Sequence, residues 1–498
     1  MFKLLGLAKE TPSIVATDQI IPLHWFEDGF MWKKVIVYTL FVFDDALDPV
    51  KLRGALNRLV QRDGYKKLGG RLRKNAQGSV EYHVPAEFNS SRPAVAFSHT
   101  HHDVDAADHP TASKIPKPTG LNGPTIVGNP EELSELSRPD GAATFSLDDY
   151  LTTDRPTLGL HITTFRDTTC MSLYWPHVAF DAMGKKAIIE GWTLMLQGRE
   201  DEIATPIGYD TDLLAEFGKH ATEPHLLADR RVGNFGMAGY ALRNAVGLVG
   251  PKEIRMVCIP VVFWEKMVAD VRDELAGSAA PGEDPFVTEG DVLVAWWTRV
   301  CCSHLGKDST TTVAAQNSMS LRKVLRDDLI SPSDRPFISM ALGFPTVLLP
   351  AGDILTKPLS WLAMQFRRAI NEQGTRAQVE SYAALQREFS AAMRMPIFFG
   401  DTGMYNLFYS NWQKAALFDY DFGVAAVTSR DGKPLRASYI QCVQDPAFPE
   451  GWPISGKDER GNYWISGFRE RGLWAKAEEE LVAQAHVASF GVVGSEGL

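Results

Sequence analysis

Residues 35–43 form an uncharged apolar run, which predicts a strand buried on both faces. Asp48 and Pro49 then supply an N-cap and a first helical residue, and Leu52, Leu56, Leu59 and Val60 give that helix its apolar face. A Gly69–Gly70 turn leads to a second strand at 80–84. Strands are expected at 158–165 and 170–175; in the latter, Met171, Leu173 and Trp175 alternate with smaller or polar residues. Beyond them Ile188, Trp192, Met195 and Leu196 recur at helical spacing until Gly198 offers a stop. The stretch PHVAFDAMG (176–184) is therefore a strand-to-helix turn, with His177 at the rim of a sheet. Residues 109–141 carry Pro110, Pro116, Pro118, Pro124, Pro130 and Pro139 and read as a long surface loop.

Between 198 and 252 the pattern is irregular and polar, as expected of a crossover. A strand at 254–262 and a helix at 264–275 open the second half, followed by a breaker run at 277–285. Thr288 and Asp291 have the spacing of a capping box at the start of a helix through Trp296, Trp297 and Val300. Further strands are expected at 311–321, 406–409 and 424–427, with helices at 359–370 and 377–393. Each half mixes sheet with helix, so the fold class is α/β with two domains, 1–205 and 253–498, joined by a crossover at 206–252.

Composition narrows the picture. A chain of 498 residues with 45% hydrophobic content has room for two cores, and a formal charge of −10 argues against general nucleic-acid binding. Five scattered cysteines without a CxxC pair point to a reducing, cytoplasmic setting. Lys9, Glu10 and Pro12 cut the first apolar run short of a signal-peptide core. The most apolar stretch, 337–351, is interrupted by Pro345 and Pro350 and is too short to span a membrane. The HTHHD run at 99–103 invites a metal reading, but no second cluster completes a site, and none is expected. Walker, GxGxxG and GxSxG motifs are absent.

The remaining chemistry centres on HxxxD. It occurs six times, at His24, His99, His101, His177, His225 and His304. Only the copy at His177 has a mechanical setting, a strand end that can present an imidazole to a substrate while Asp181 fixes the turn.

Five blocks in order carry a family resemblance. They are LGGRLRKNAQGSVEYHVP (68–85), HVAFD (177–181), TEGDVLVAWWTRV (288–300), SMSLRKVL (318–325), and SNW (410–412) followed nine residues later by Asp421 of DFGVA. Together they resemble the BAHD-type acyltransferases, in particular the fungal branch that decorates secondary metabolites, such as trichothecene 3-O-acetyltransferases. Two departures stand out: Ala182 replaces the usual glycine of HxxxDG, and DFGWG becomes DFGVA.

The resemblance implies a chloramphenicol-acetyltransferase-like, two-domain BAHD fold, with mixed sheets flanked by helices and the active site between the domains. It implies acyl-CoA-dependent transfer, most simply of acetyl, to a hydroxyl of a terpenoid, alkaloid or polyketide. Acyl-CoA would be a co-substrate, with no permanent cofactor, and the protein a monomer. In that scheme His177 is the general base, Asp181 turns away to pair with Arg322, and Ser410 donates to the oxyanion or bonds backbone at a strand end. Trp412 walls the acceptor pocket or sits in the core, Asp421 and Gly423 are structural, and Thr288 meets a phosphate or pantetheine amide of CoA. A carrier-protein donor and a non-catalytic binding homologue are the alternatives.

Overall fold

The computed structural model describes residues 12–493 apart from 121, 140–143, 281, 333, 394–396 and 445–449. Two mixed sheets dominate it. The first has the order Tyr439–Gln444, Ile36–Phe43, Thr169–Pro176, Gly159–Thr164 and Ala96–His101. Ile36–Phe43 and Thr169–Pro176 are buried at every position, so both faces are covered, and the unbroken apolar run follows from that. Helices Pro49–Val60 and Ala182–Leu196 pack against each other beside this sheet, joined by a bond from Trp192 Nε1 to the Leu52 carbonyl at 3.0 Å.

The second sheet runs Thr346–Pro350, Thr312–Asn317, Tyr405–Asn411, Gly451–Lys457, Tyr463–Glu470, Lys252–Ile259 and Thr125–Gly128. Against it lie Glu289–Cys302 and Leu359–Gln373. The first of these is buried nearly all round, with Trp297 edge-on to Trp452 at 5.1 Å. Thr288 and Asp291 form the capping box that the spacing predicts.

The two halves exchange strands. Tyr439–Gln444 leaves the second half to pair antiparallel with Ile36–Phe43, and Thr125–Gly128 leaves the first half to pair with Lys252–Ile259. Two expectations are corrected here. Within 109–141 the chain is not simply a surface loop: besides its strand it buries Pro130, Leu133 and Leu136. The 424–427 strand is also absent, because Asp421 Oδ1 accepts from both Gly423 N and Leu435 N at 2.8 Å and curls the segment into a turn.

All five cysteines are buried and unpaired. No helix among the described residues is long and apolar enough to cross a membrane.

Candidate active site

The last residue of Thr169–Pro176 faces Ile36 in the ladder, and the next backbone amide, that of His177, donates to Val35 O at 2.8 Å. Pairing ends there because the chain turns out of the sheet. The imidazole is half-buried with Nδ1 turned inward, which leaves Nε2 as the outer nitrogen. No hydrogen bond of regular geometry reaches Nδ1; the carbonyls of His177 itself and Phe180 lie close enough to favour a protonated ring. Burial outweighs them and holds His177 below the usual histidine range, with Lys185 acting in the same direction and Asp181 opposing. The ring is therefore neutral at physiological pH. With His177 as the base, the acid-side fall in rate should follow its protonation, with that limb displaced below the ordinary value of 6.5. A pH profile of kcat/KM with its acid midpoint at or above 6.5 would contradict this. Trp32 lies against the imidazole at 4.9 Å between ring centroids, and Phe344 stacks on Trp32 at 6.2 Å.

Asp181 points the other way. It caps the Ala182–Leu196 helix, with Oδ1 accepting from Met183 N at 2.9 Å and Gly184 N at 3.0 Å. The same carboxylate takes a bidentate fork from Arg322, both bonds 2.9 Å, and a bond from Ala341 N at 3.0 Å. Arg322 also donates to Phe337 O at 2.8 Å and Ser339 O at 2.7 Å. One ion pair thus clamps the 337–341 segment onto the turn that carries His177. The contact is so close that a Cβ on Gly184 would lie 2.2 Å from Ile338 O. Glycine is required there by the neighbouring carbonyl, two positions after the glycine that HxxxDG would place at Ala182.

Ser410 lies near the end of Tyr405–Asn411, which is parallel to Gly451–Lys457. Its Oγ accepts from Trp412 Nε1 at 2.8 Å, so the hydroxyl hydrogen is free to point elsewhere. Trp412 is only 8% exposed and packs in the core of the first sheet. Over its ring, 3.5 Å from the centroid, sits the ammonium of Lys185.

The other expected residues are engaged structurally. Thr288 Oγ1 donates to Asp291 at 2.7 Å and accepts from Arg367 at 2.7 Å, and Glu289 beside it pairs with Lys457. That helix start carries two carboxylates, and the Thr288 hydroxyl is engaged by Asp291 and Arg367. Asp421 and Gly423 make the turn described above; the neighbouring Phe422 packs on Phe43 and Trp192 in the core of the first sheet. His99 and His101 both meet the Thr164 hydroxyl, and no metal-ligand cluster is found among the described residues.

Three residues of this region are missing from the sequence reading: Trp32, Phe344 and Lys185. Only Lys185 left a signal, since it falls in register with Ile188, Ile189 and Trp192 on the apolar face of its helix.

No family model matches the chain. Its curated relatives match over nearly their full length. The chain is 36% identical to the transcriptional regulator calD of Penicillium decumbens, over 95% of this chain and 97% of that one. It is 34% identical to the acetyltransferase adrJ of Penicillium rubens, over 96% and 99%. Among solved structures, TRI101 of F. graminearum complexed with coenzyme A and T-2 mycotoxin superposes with a TM-score of 0.66 at 13% identity, covering 93% of this chain and 97% of that one. With the HxxxD turn, its arginine clamp and relatives at this level of identity, the chain belongs to the BAHD-type acyltransferases, in the branch of fungal secondary-metabolite acetyltransferases.

Proposed function

We propose that the protein transfers an acyl group, acetyl in the simplest case, from acyl-CoA to a hydroxyl of a small secondary metabolite. The observation that carries this is the half-buried, neutral imidazole of His177, held at a sheet rim by a clamp that does not compete for its outer nitrogen. The acceptor oxygen attacks the thioester carbon as His177 Nε2 takes its proton. The tetrahedral intermediate then collapses, the C–S bond breaks, and the thiolate recovers that proton. Ser410 donates to the developing oxyanion, and CoA approaches between the domains from the face opposite the acceptor. The five buried free cysteines support a reducing, cytoplasmic setting, and the reading takes the protein as a monomer.

Thiol release from a panel of acyl-CoAs, with a hydroxylated-metabolite extract as acceptor, tests the reading. Release that needs both the extract and His177 is expected; silence across the panel with folded protein would count against a CoA donor. Ser410→Ala should lower kcat by about 10²–10³, the usual effect of losing one oxyanion donor, with little change in donor KM. An unchanged kcat would remove Ser410 from the chemistry.

The name of calD favours a second, non-catalytic reading. Against it stand the net charge of −10, which repels nucleic acid, and the complete set of His177, Asp181, Arg322 and Ser410 in this chain. Tight ligand binding without turnover would favour it. A carrier-protein donor is opposed by Pro176, which stands where condensation enzymes place a first histidine.

A further inference from the structure

Lys185 is 1% exposed, and among the described residues no carboxylate lies within ion-pair range of its ammonium. Among the described residues its hydrogen bond goes to Thr39 Oγ1 at 3.2 Å. A cation buried in this way is costly, and an apolar residue of the same length would ordinarily fit such a site as well or better. What the ammonium does have is an aromatic face. It sits 3.5 Å from the centroid of the Trp412 ring, and the Trp412 N–H ends on Ser410 Oγ.

We infer that Lys185 is a positioning residue for acyl transfer, acting through Trp412 to orient and polarise the Ser410 hydroxyl. The inference rests on the reading of Ser410 as the oxyanion donor. A cation on the indole face withdraws density from the ring and strengthens its N–H as a donor. A serine oxygen that accepts a stronger bond is itself a stronger donor, because hydrogen bonds in series polarise one another. The contact also crosses the boundary between the helix that follows the His177 turn and the strand end that carries Ser410. The base and the oxyanion donor are thereby held in one frame.

The cation must be present for the relay to operate. Burial pulls Lys185 down to about 8, with the Cys442 thiol on the neighbouring strand opposing this. The other groups facing it are Thr39, Trp175, His177, Trp412 and, one turn back on its own helix, Asp181, which Arg322 already engages. Cys442 is pushed up to about 11 by burial and stays a thiol throughout the relevant range. As pH rises through about 8 the ammonium is lost, so kcat should fall on the alkaline side while the His177 limb governs the acid side.

The test is the pH profile of kcat for the wild type, Lys185→Arg, Lys185→Met, Ser410→Ala and the Lys185→Met/Ser410→Ala double variant. Lys185→Arg should keep activity and lose the alkaline limb, since guanidinium does not titrate there. Lys185→Met should lower kcat on the order of tenfold with donor KM unchanged, show no alkaline limb, and add nothing in the Ser410→Ala background. An unchanged kcat and alkaline limb in Lys185→Met, with Ser410→Ala impaired, overturns this inference alone. Full activity of Ser410→Ala overturns the oxyanion reading and the relay with it. If Lys185→Met does not fold, the Lys185→Arg profile decides: an alkaline limb that persists there cannot come from Lys185.

Discussion

Replacing His177 with alanine should lower kcat by about 10²–10⁴, the usual contribution of a positioned general base. An alcohol is a poor nucleophile near neutral pH, so acyl transfer to it depends on a group that removes the proton as the C–O bond forms. His177 stands at a strand end with Nδ1 turned inward, which leaves Nε2 for an acceptor. Its side chain contributes little to the packing that holds the turn. That comes from the backbone bond to Val35 O and from the Asp181 hub, both of which the alanine variant keeps. The loss should therefore appear in kcat with the melting temperature nearly unchanged, read by thiol release against a matched thermal scan. Full activity in a folded His177→Ala protein would remove the base from the scheme.

Much of the fold was legible where a local pattern and its tertiary environment agree. The apolar run near 35–43, the alternation before His177 and the capping box at Thr288 each became the expected element, with ends shifted by at most a few residues. The pattern fails at the two exchanged strands. Thr125–Gly128 lies among prolines and glycines, and it is a strand only because Lys252–Ile259, more than a hundred residues away, offers it an edge. The strand is Tyr439–Gln444 rather than 424–427, where β-branched residues suggest one but the Asp421 side chain captures the backbone first.

The site divides in the same way. Asp181 and Arg322 are 141 residues apart, and no spacing rule joins them; the family resemblance did, and their fork is present. Indoles and helix starts often meet ligands, which is the ground for expecting ligand contact at Trp412 and Thr288. In this chain each is filled by a neighbour in space, the indole face by Lys185 and the helix start by Asp291 and Arg367. Trp32 and Phe344 meet beside His177 only because the 337–344 segment is brought there, and no local motif announces that.

The clamp that brings it supplies the other large effect. Asp181→Asn should cost about 3–5 kcal/mol of stability, the usual penalty for stranding one partner of a buried ion pair. The carboxylate is 1% exposed and accepts five bonds, from Met183 N, Gly184 N, Ala341 N and the two arms of Arg322. All five are donors, so an asparagine must turn its own NH₂ toward at least one of them, and the Arg322 charge loses its counter-ion. The change also frees the 337–341 segment that Arg322 pins, so activity should fall together with the denaturation midpoint. Adding Arg322→Met to Asp181→Asn removes the stranded cation, and the double variant should recover part of the loss, a non-additivity of about 0.5–3 kcal/mol. A large rate loss in Asp181→Asn with an unchanged midpoint would instead place Asp181 in the chemistry. Strict additivity with Arg322→Met would mean that the fork contributes nothing beyond its separate ends.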